Sequence, residues 1–173
     1  MKASLLIAAA LAAGALTTVP AAAARAALDT DGLPRACPAP SLLRAALRLN
    51  VRRVASYAGP ISSTTLAGMG PAPDDAHYKT TAQRERTCTY SGSSNGPITI
   101  SFVSPMTADA FSQSRTSLGK SGVATASVHG VADRAWAARA GGLLFVLKGS
   151  LDIVISAPRT SVADLKGLAG LIV

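Results

Sequence analysis

The chain has 173 residues, 17 Lys and Arg against 9 Asp and Glu, and a formal net charge of +8. Aromatic residues make up only 4% of it, too few for the stacking platforms that hold single-stranded nucleic acid, and no groove-binding motif is present. Nucleic acid is therefore excluded as the expected partner, and the charge points instead to an anionic surface such as lipid headgroups, acidic wall polymer or an acidic protein.

In chain order, Met1-Lys2 opens onto an apolar run from Leu5 to Leu16 and a small-residue exit ending in Ala22-Ala23-Ala24. A positive start, a short apolar stretch and small residues at the exit predict a secretory signal peptide over 1–24, too short to serve as a membrane span. Its removal leaves Arg25 first and takes one positive charge, Lys2, away. Residues 25–36 are small and polar and read as a flexible tether. Residues 37–173 are long enough for a single domain with its own apolar core.

Cys37 and Cys88 are the two cysteines of the chain. In a protein outside the cytoplasm such a pair predicts a disulfide rather than a metal or redox site. A lipid-anchor role for Cys37 does not fit, because Arg35 stands two residues before it and the apolar run has ended well upstream.

Pro40-Ser41 reads as a helix cap, followed by an apolar stripe of Leu42, Leu43, Ala46 and Leu47 that ends near Leu49-Asn50. The next segment, "VRRVASYA", is open between a second helix and an extended strand. From Gly59 to Arg86 the chain is rich in Gly, Pro, Ser and Thr, a long loop with room for a short strand. Cys88 and Tyr90 then point to one face, with Thr87, Thr89 and Ser91 on the other. Across a turn, Ile98, Ile100 and Phe102 alternate with Thr99 and Ser101, which predicts a hairpin with one buried face and one polar face.

Thr107 reads as the cap of a helix with Phe111 and Leu118 on its inner side. Extended runs follow over Val123–Val128 and Ala135–Arg139. "LLFVLK" and "LDIVIS" come next, with turns at Gly141-Gly142 and Lys148-Gly149-Ser150. The uniformly apolar "LLFVL" is expected to be the central strand. Ser161 with Asp164 opens a last helix carrying Val162, Leu165, Ala169 and Ile172. The expected order is α-β-β-α-β-β-β-α: an α+β fold, an antiparallel sheet of about five strands with helices packed on it, and one disulfide.

A Cys before the first helix, "CTY", "VHGVADRAW", "GGLLFVLKG" and a terminal "LAGLIV" occur here in that order. In this the chain resembles the uncharacterised small exported proteins and lipoproteins of mycobacteria and related actinobacteria, which share a CxY strand, a GxGDxA-like turn and an apolar strand ending in VxKG. Gly130-Val131-Ala132-Asp133-Arg134-Ala135 matches the turn, with Ala132 at the usual second glycine. The resemblance implies an α+β fold and an envelope location, and it carries no catalytic residues. The chain departs from the lipoproteins in lacking an anchor cysteine.

Several motifs spell chemistry that their context denies. Gly92-Ser93-Ser94-Asn95-Gly96 satisfies G-x-S-x-G, but a nucleophile elbow runs from strand to helix, and here Pro97-Ile98-Thr99-Ile100 continues as strand. Ser94 is therefore expected at a hairpin tip. Ser117-Leu118-Gly119-Lys120 spells S-x-x-K at the end of a helix rather than its start. His77 with Asp74 and Asp75 has weak metal-ligand spacing and reads as solvated loop, and His129 stands alone at a strand end. No catalytic, cofactor-binding or metal residue is assigned.

Asp133-Arg134 is expected to fix a tight connection above Trp136, or else to form the rim of a ligand site. Two candidate binding surfaces stand out: the hydroxyl face of the sheet at Thr87, Thr89, Ser91, Thr99 and Ser101, and the basic stripe of Arg44, Arg48, Arg52 and Arg53, with Arg84 and Arg86 placed nearby and Arg115 and Arg159 as comparison positions outside it. The expected function is a secreted or envelope-associated, non-enzymatic domain that binds an anionic envelope component or an acidic protein. The alternatives are a hydrolase with an unrecognised site, or a structural or inhibitory protein acting by surface contact.

Overall fold

A computed structural model describes residues 27–61 and 83–173. The expected signal peptide, its cleavage site and the His77 cluster lie outside the described residues. Ten elements follow in order: α1 (Pro40–Leu47), β1 (Arg53–Pro60), β2 (Arg84–Ser91), β3 (Ile98–Ser104), α2 (Ala108–Lys120), β4 (Thr125–Ser127), β5 (Arg134–Ala138), β6 (Leu143–Lys148), β7 (Leu151–Ser156) and α3 (Val162–Ile172). All strand pairs are antiparallel, in the order β1-β2-β3-β7-β6-β5-β4.

The α+β class and the antiparallel sheet are as expected, but the sheet has seven strands rather than about five. The segment left open between helix and strand is β1, and β4 is a three-residue strand at the opposite edge. The central strand is β7, not β6. β6 reads as continuously apolar for another reason. Its residues Leu144, Phe145, Val146 and Leu147 are buried alternately on both faces, because helices cover both sides of the sheet there.

On one face, Cys88, Tyr90, Ile98, Ile100, Phe102, Leu144, Val146, Ile153 and Ile155 form a core beneath α1 and α3, which add Leu43, Leu47, Leu165, Leu168 and Ala169. On the opposite face, Val103, Trp136, Phe145 and Leu147 meet Phe111 and Leu118 of α2 in a second core. Trp136 stacks on Phe145 with ring centroids 3.7 Å apart, and Phe111 lies 6.2 Å from the indole. The sheet face expected to be simply polar is thus divided. Its β2–β3 wing carries hydroxyls, among them Thr87 bonded to Ser101 at 3.1 Å, and its β5–β6 wing is roofed by α2.

Caps follow local chemistry in two helices. Thr107 Oγ1 accepts from the Ala110 N–H, and Ser161 Oγ accepts from the Asp164 N–H. α1 lacks the expected Ser41 cap; Ala39 is its N-cap residue, without a side-chain bond, and Pro40 occupies the first turn. The β5–β6 turn uses glycine of necessity. Gly141 has φ +79°, and a Cβ there would lie 2.6 Å from the Thr160 carbonyl oxygen.

The expected Cys37–Cys88 disulfide is present, with Cα atoms 5.7 Å apart. It ties the chain ahead of α1 to the middle of β2. Tyr90 reinforces the tie by donating its hydroxyl to the Pro38 carbonyl at 2.7 Å, and burial raises the pKa of this phenol. The stretch expected as a tether is described from residue 27, and it packs on the sheet. Leu33 is 2% exposed, Asp31 pairs with Arg84 at 3.5 Å, and Asp29 lies 3.9 Å from Arg86. Among the described residues no helix is long and apolar enough to cross a membrane.

Candidate ligand-binding site

The inner stripe of α2 contains an inconsistency that the structure resolves. Phe111, Arg115 and Leu118 stand at i, i+4 and i+7, so an arginine lies on the same face as two core residues. A guanidinium so placed needs polar partners. Arg115 finds them on β4: its Nε donates to Thr125 Oγ1 and its Nη1 to Ser127 Oγ, both at 3.1 Å. Arg134 opens β5 on the same sheet face as Trp136, and its Nη1 reaches Ser112 Oγ on α2 at 3.4 Å. Ser112 in turn donates to the Ala108 carbonyl at 2.8 Å.

These contacts hold two guanidinium groups across a cleft of about 530 Å³ between α2 and the β4–β5 connection. Phe111 and Trp136 line its base, Thr116 one wall, and His129, Gly130 and Asp133 the other. The Trp136 indole N–H is buried and makes no hydrogen bond among the described residues. Among the described residues no carboxylate forms an ion pair with either cleft arginine. Asp133 lines the cleft too, but its Oδ2 accepts the Gly149 N–H at 2.7 Å and fastens the β6–β7 turn. The expected structural role of Asp133 is therefore met at a different turn from its own. Two fixed guanidinium groups with hydroxyls between them are suited to holding an oxyanion.

The stripe expected from the sequence does not form a single helix face. α1 ends at Leu47, and Arg48 is its C-cap with φ 54°, so Arg52 lies beyond the helix and Arg53 begins β1. Arg44 donates to the Val51 carbonyl at 2.8 Å, and Arg52 lies along Gly92 at the β2–β3 turn. Arg84 and Arg86 are engaged by Asp31 and Asp29. Arg115, expected outside the binding surface, lines the cleft, whereas Arg159 sits exposed in the turn before α3.

Ser94 is at the β2–β3 hairpin tip, where Ser93 accepts the Asn95 N–H at 3.1 Å and Gly92 and Gly96 take φ of +91° and +105°. Ser94→Ala is expected to change stability by no more than about 0.5 kcal/mol, as an exposed turn position should. Urea unfolding checks this, and a larger loss would show that the hydroxyl holds the hairpin. Ser117 and Lys120 close α2 rather than open it. Among the described residues no cluster of His, Cys, Asp and Glu is arranged to hold a metal. No protein-family model, curated protein or solved structure matches this chain.

Proposed function

We propose that this is an exported, envelope-associated domain that binds an anionic ligand in the α2–β4–β5 cleft without chemically transforming it. The observation that supports this most directly is the pair Arg115 and Arg134, each fixed by hydroxyl contacts and neither paired with a carboxylate among the described residues. Holding two like charges in place across one cleft costs stability, which a bound anion would recover. The disulfide is compatible with an oxidising compartment, and the resemblance to actinobacterial exported proteins and lipoproteins supports an envelope location.

The test compares two double variants of equal charge change. Arg115→Glu with Arg134→Glu is expected to weaken binding of inorganic phosphate, followed by NMR shift titration, about tenfold or more. That is the scale of losing charge-assisted hydrogen bonds. Arg44→Glu with Arg48→Glu should change it much less, and added salt should weaken binding in the unaltered protein. Equal losses from the two pairs would mean that net charge alone matters, and the cleft would be rejected as the site.

A further inference from the structure

The two edges of the sheet differ. β4 is three residues long, and its Thr125 and Ser127 are held by Arg115 of α2. β1, at the other edge, runs for eight residues, and no strand pairs with its outer side among the described residues. An open edge offers alternate main-chain N–H and C=O groups to a further strand, and proteins ordinarily blunt it with charge, proline or brevity. From Val54 to Gly59 the chain has neither charge nor proline. Residues 54–58 are all exposed. Val54 and Tyr57, at 45% and 47%, are two of the four large apolar side chains exposed among the described residues.

We infer that β1 is an interaction surface whose partner is β1 of a second copy of this chain, paired antiparallel about a two-fold axis at Ser56 so that the sheet continues across the dimer. The order of residues along the strand selects this occupant. Val54, Ser56 and Ala58 share the sheet face of Cys88 and Tyr90, and Ala55 and Tyr57 share that of Thr87 and Thr89. In the two-fold register Val54 comes opposite Ala58 of the second copy, and Tyr57 opposite its Ala55. On each face a large side chain thus meets a small one, and Ser56 meets a second hydroxyl at the axis. Arg52 and Arg53 fall opposite Pro60 and Gly59, away from their counterparts, whereas a parallel pairing would set arginine against arginine. Symmetry makes every such contact twice. Tyr57 is already ordered: its Oη donates to the Pro60 carbonyl at 3.0 Å, and its ring covers Gly59, where a Cβ would lie 2.6 Å from that oxygen. Little side-chain freedom is then left to lose on pairing.

Sedimentation velocity of the purified protein from about 10 μM to about 1 mM should show a reversible monomer–dimer equilibrium, as expected of a small, transient contact. Ser56→Lys, at an exposed position, sets two ammonium groups face to face at the axis and should raise the dissociation constant about tenfold or more. Leu171→Lys adds the same charge at an exposed apolar position on α3 and should leave the equilibrium unchanged. The register has its own readout. Ser56→Cys brings two thiols within disulfide reach across the axis and should give a covalent dimer on mild oxidation, whereas Val54→Cys, facing Ala58, should not. A monomer at every concentration would overturn the self-pairing and leave the edge to an extended segment of another protein. A dimer that Ser56→Lys leaves intact, or that both lysine variants weaken equally, would also overturn it. Cross-linking of Val54→Cys as readily as Ser56→Cys would overturn it as well, because the two-fold register would then be wrong.

Discussion

Asp152→Asn is expected to stabilise the protein at alkaline pH and to remove most of the pH dependence of its stability between about pH 4 and pH 8. Asp152 lies on β7 between Val103 of β3 and Leu147 of β6, and it is 1% exposed. Neither carboxylate oxygen makes a hydrogen bond to the described residues. Burial pushes its pKa up to about 8, with the Ile153 backbone N–H opposing the rise. The same cross-strand row carries Glu85 on β2 and Arg134 on β5, each separated from Asp152 by one strand.

In the unfolded chain an aspartate titrates near 3.9, so between that value and about 8 the folded state holds a proton that the unfolded state has lost. Stability is then full below about pH 4, falls as pH rises through the window, and levels off above the folded pKa. The slope approaches about 1.4 kcal/mol per pH unit for one such group, which sets an upper bound of about 4 kcal/mol by pH 7. Asparagine keeps the shape and cannot ionise. Urea midpoints at pH 5 and pH 8 should therefore separate the two proteins far more at the higher pH. Parallel pH profiles would mean that Asp152 is ionised and solvated in the folded protein, and the buried reading would fail.

Loss of the disulfide is the other large effect. The bridge closes a loop with a sequence separation of 51, for which the chain-entropy estimate is about 4 kcal/mol, acting chiefly on the unfolded state. Cys37→Ala with Cys88→Ala should lose about that much. Cys88→Ser alone should lose at least as much, since Cys88 is fully buried and the hydroxyl would need a partner in an apolar core. Tyr90 to Pro38 still ties the same two segments, so the double variant is expected to fold with α1 in place. The check is urea unfolding of the oxidised, reduced and substituted forms. Identical midpoints for oxidised and reduced protein would show that the remaining contacts already restrict the loop.

Local patterns carried much of this architecture. Alternation over 88–91 and 98–102 placed Cys88, Tyr90, Ile98, Ile100 and Phe102 on one face, as the structure has them. Thr107 and Ser161 were legible as caps because a cap acts within one helical turn. The disulfide was legible from a count of two. β1 was not legible, since "VRRVASYA" has no period of its own, and it becomes a strand by pairing with β2 across a long sequence gap.

The candidate site was half legible. Arg115 between Phe111 and Leu118 is a polar residue on an apolar stripe, a local signal that something must receive it. Its receivers, Thr125 and Ser127, and its opposite number Arg134 on β5 are brought together only when β4 and β5 close the far edge of the sheet beside α2. The same limit explains Asp152. Between Leu151 and Ile153, a period of two assigns it to the face opposite the α1–α3 core, and by sequence that face looked wet. Period tells which side of a sheet a residue points to, because successive side chains alternate; it says nothing about what covers that side. Coverage is set by a crossover of long sequence separation, in which α2 carries the chain from β3 to β4 at the opposite edge, and only the tertiary structure decides it.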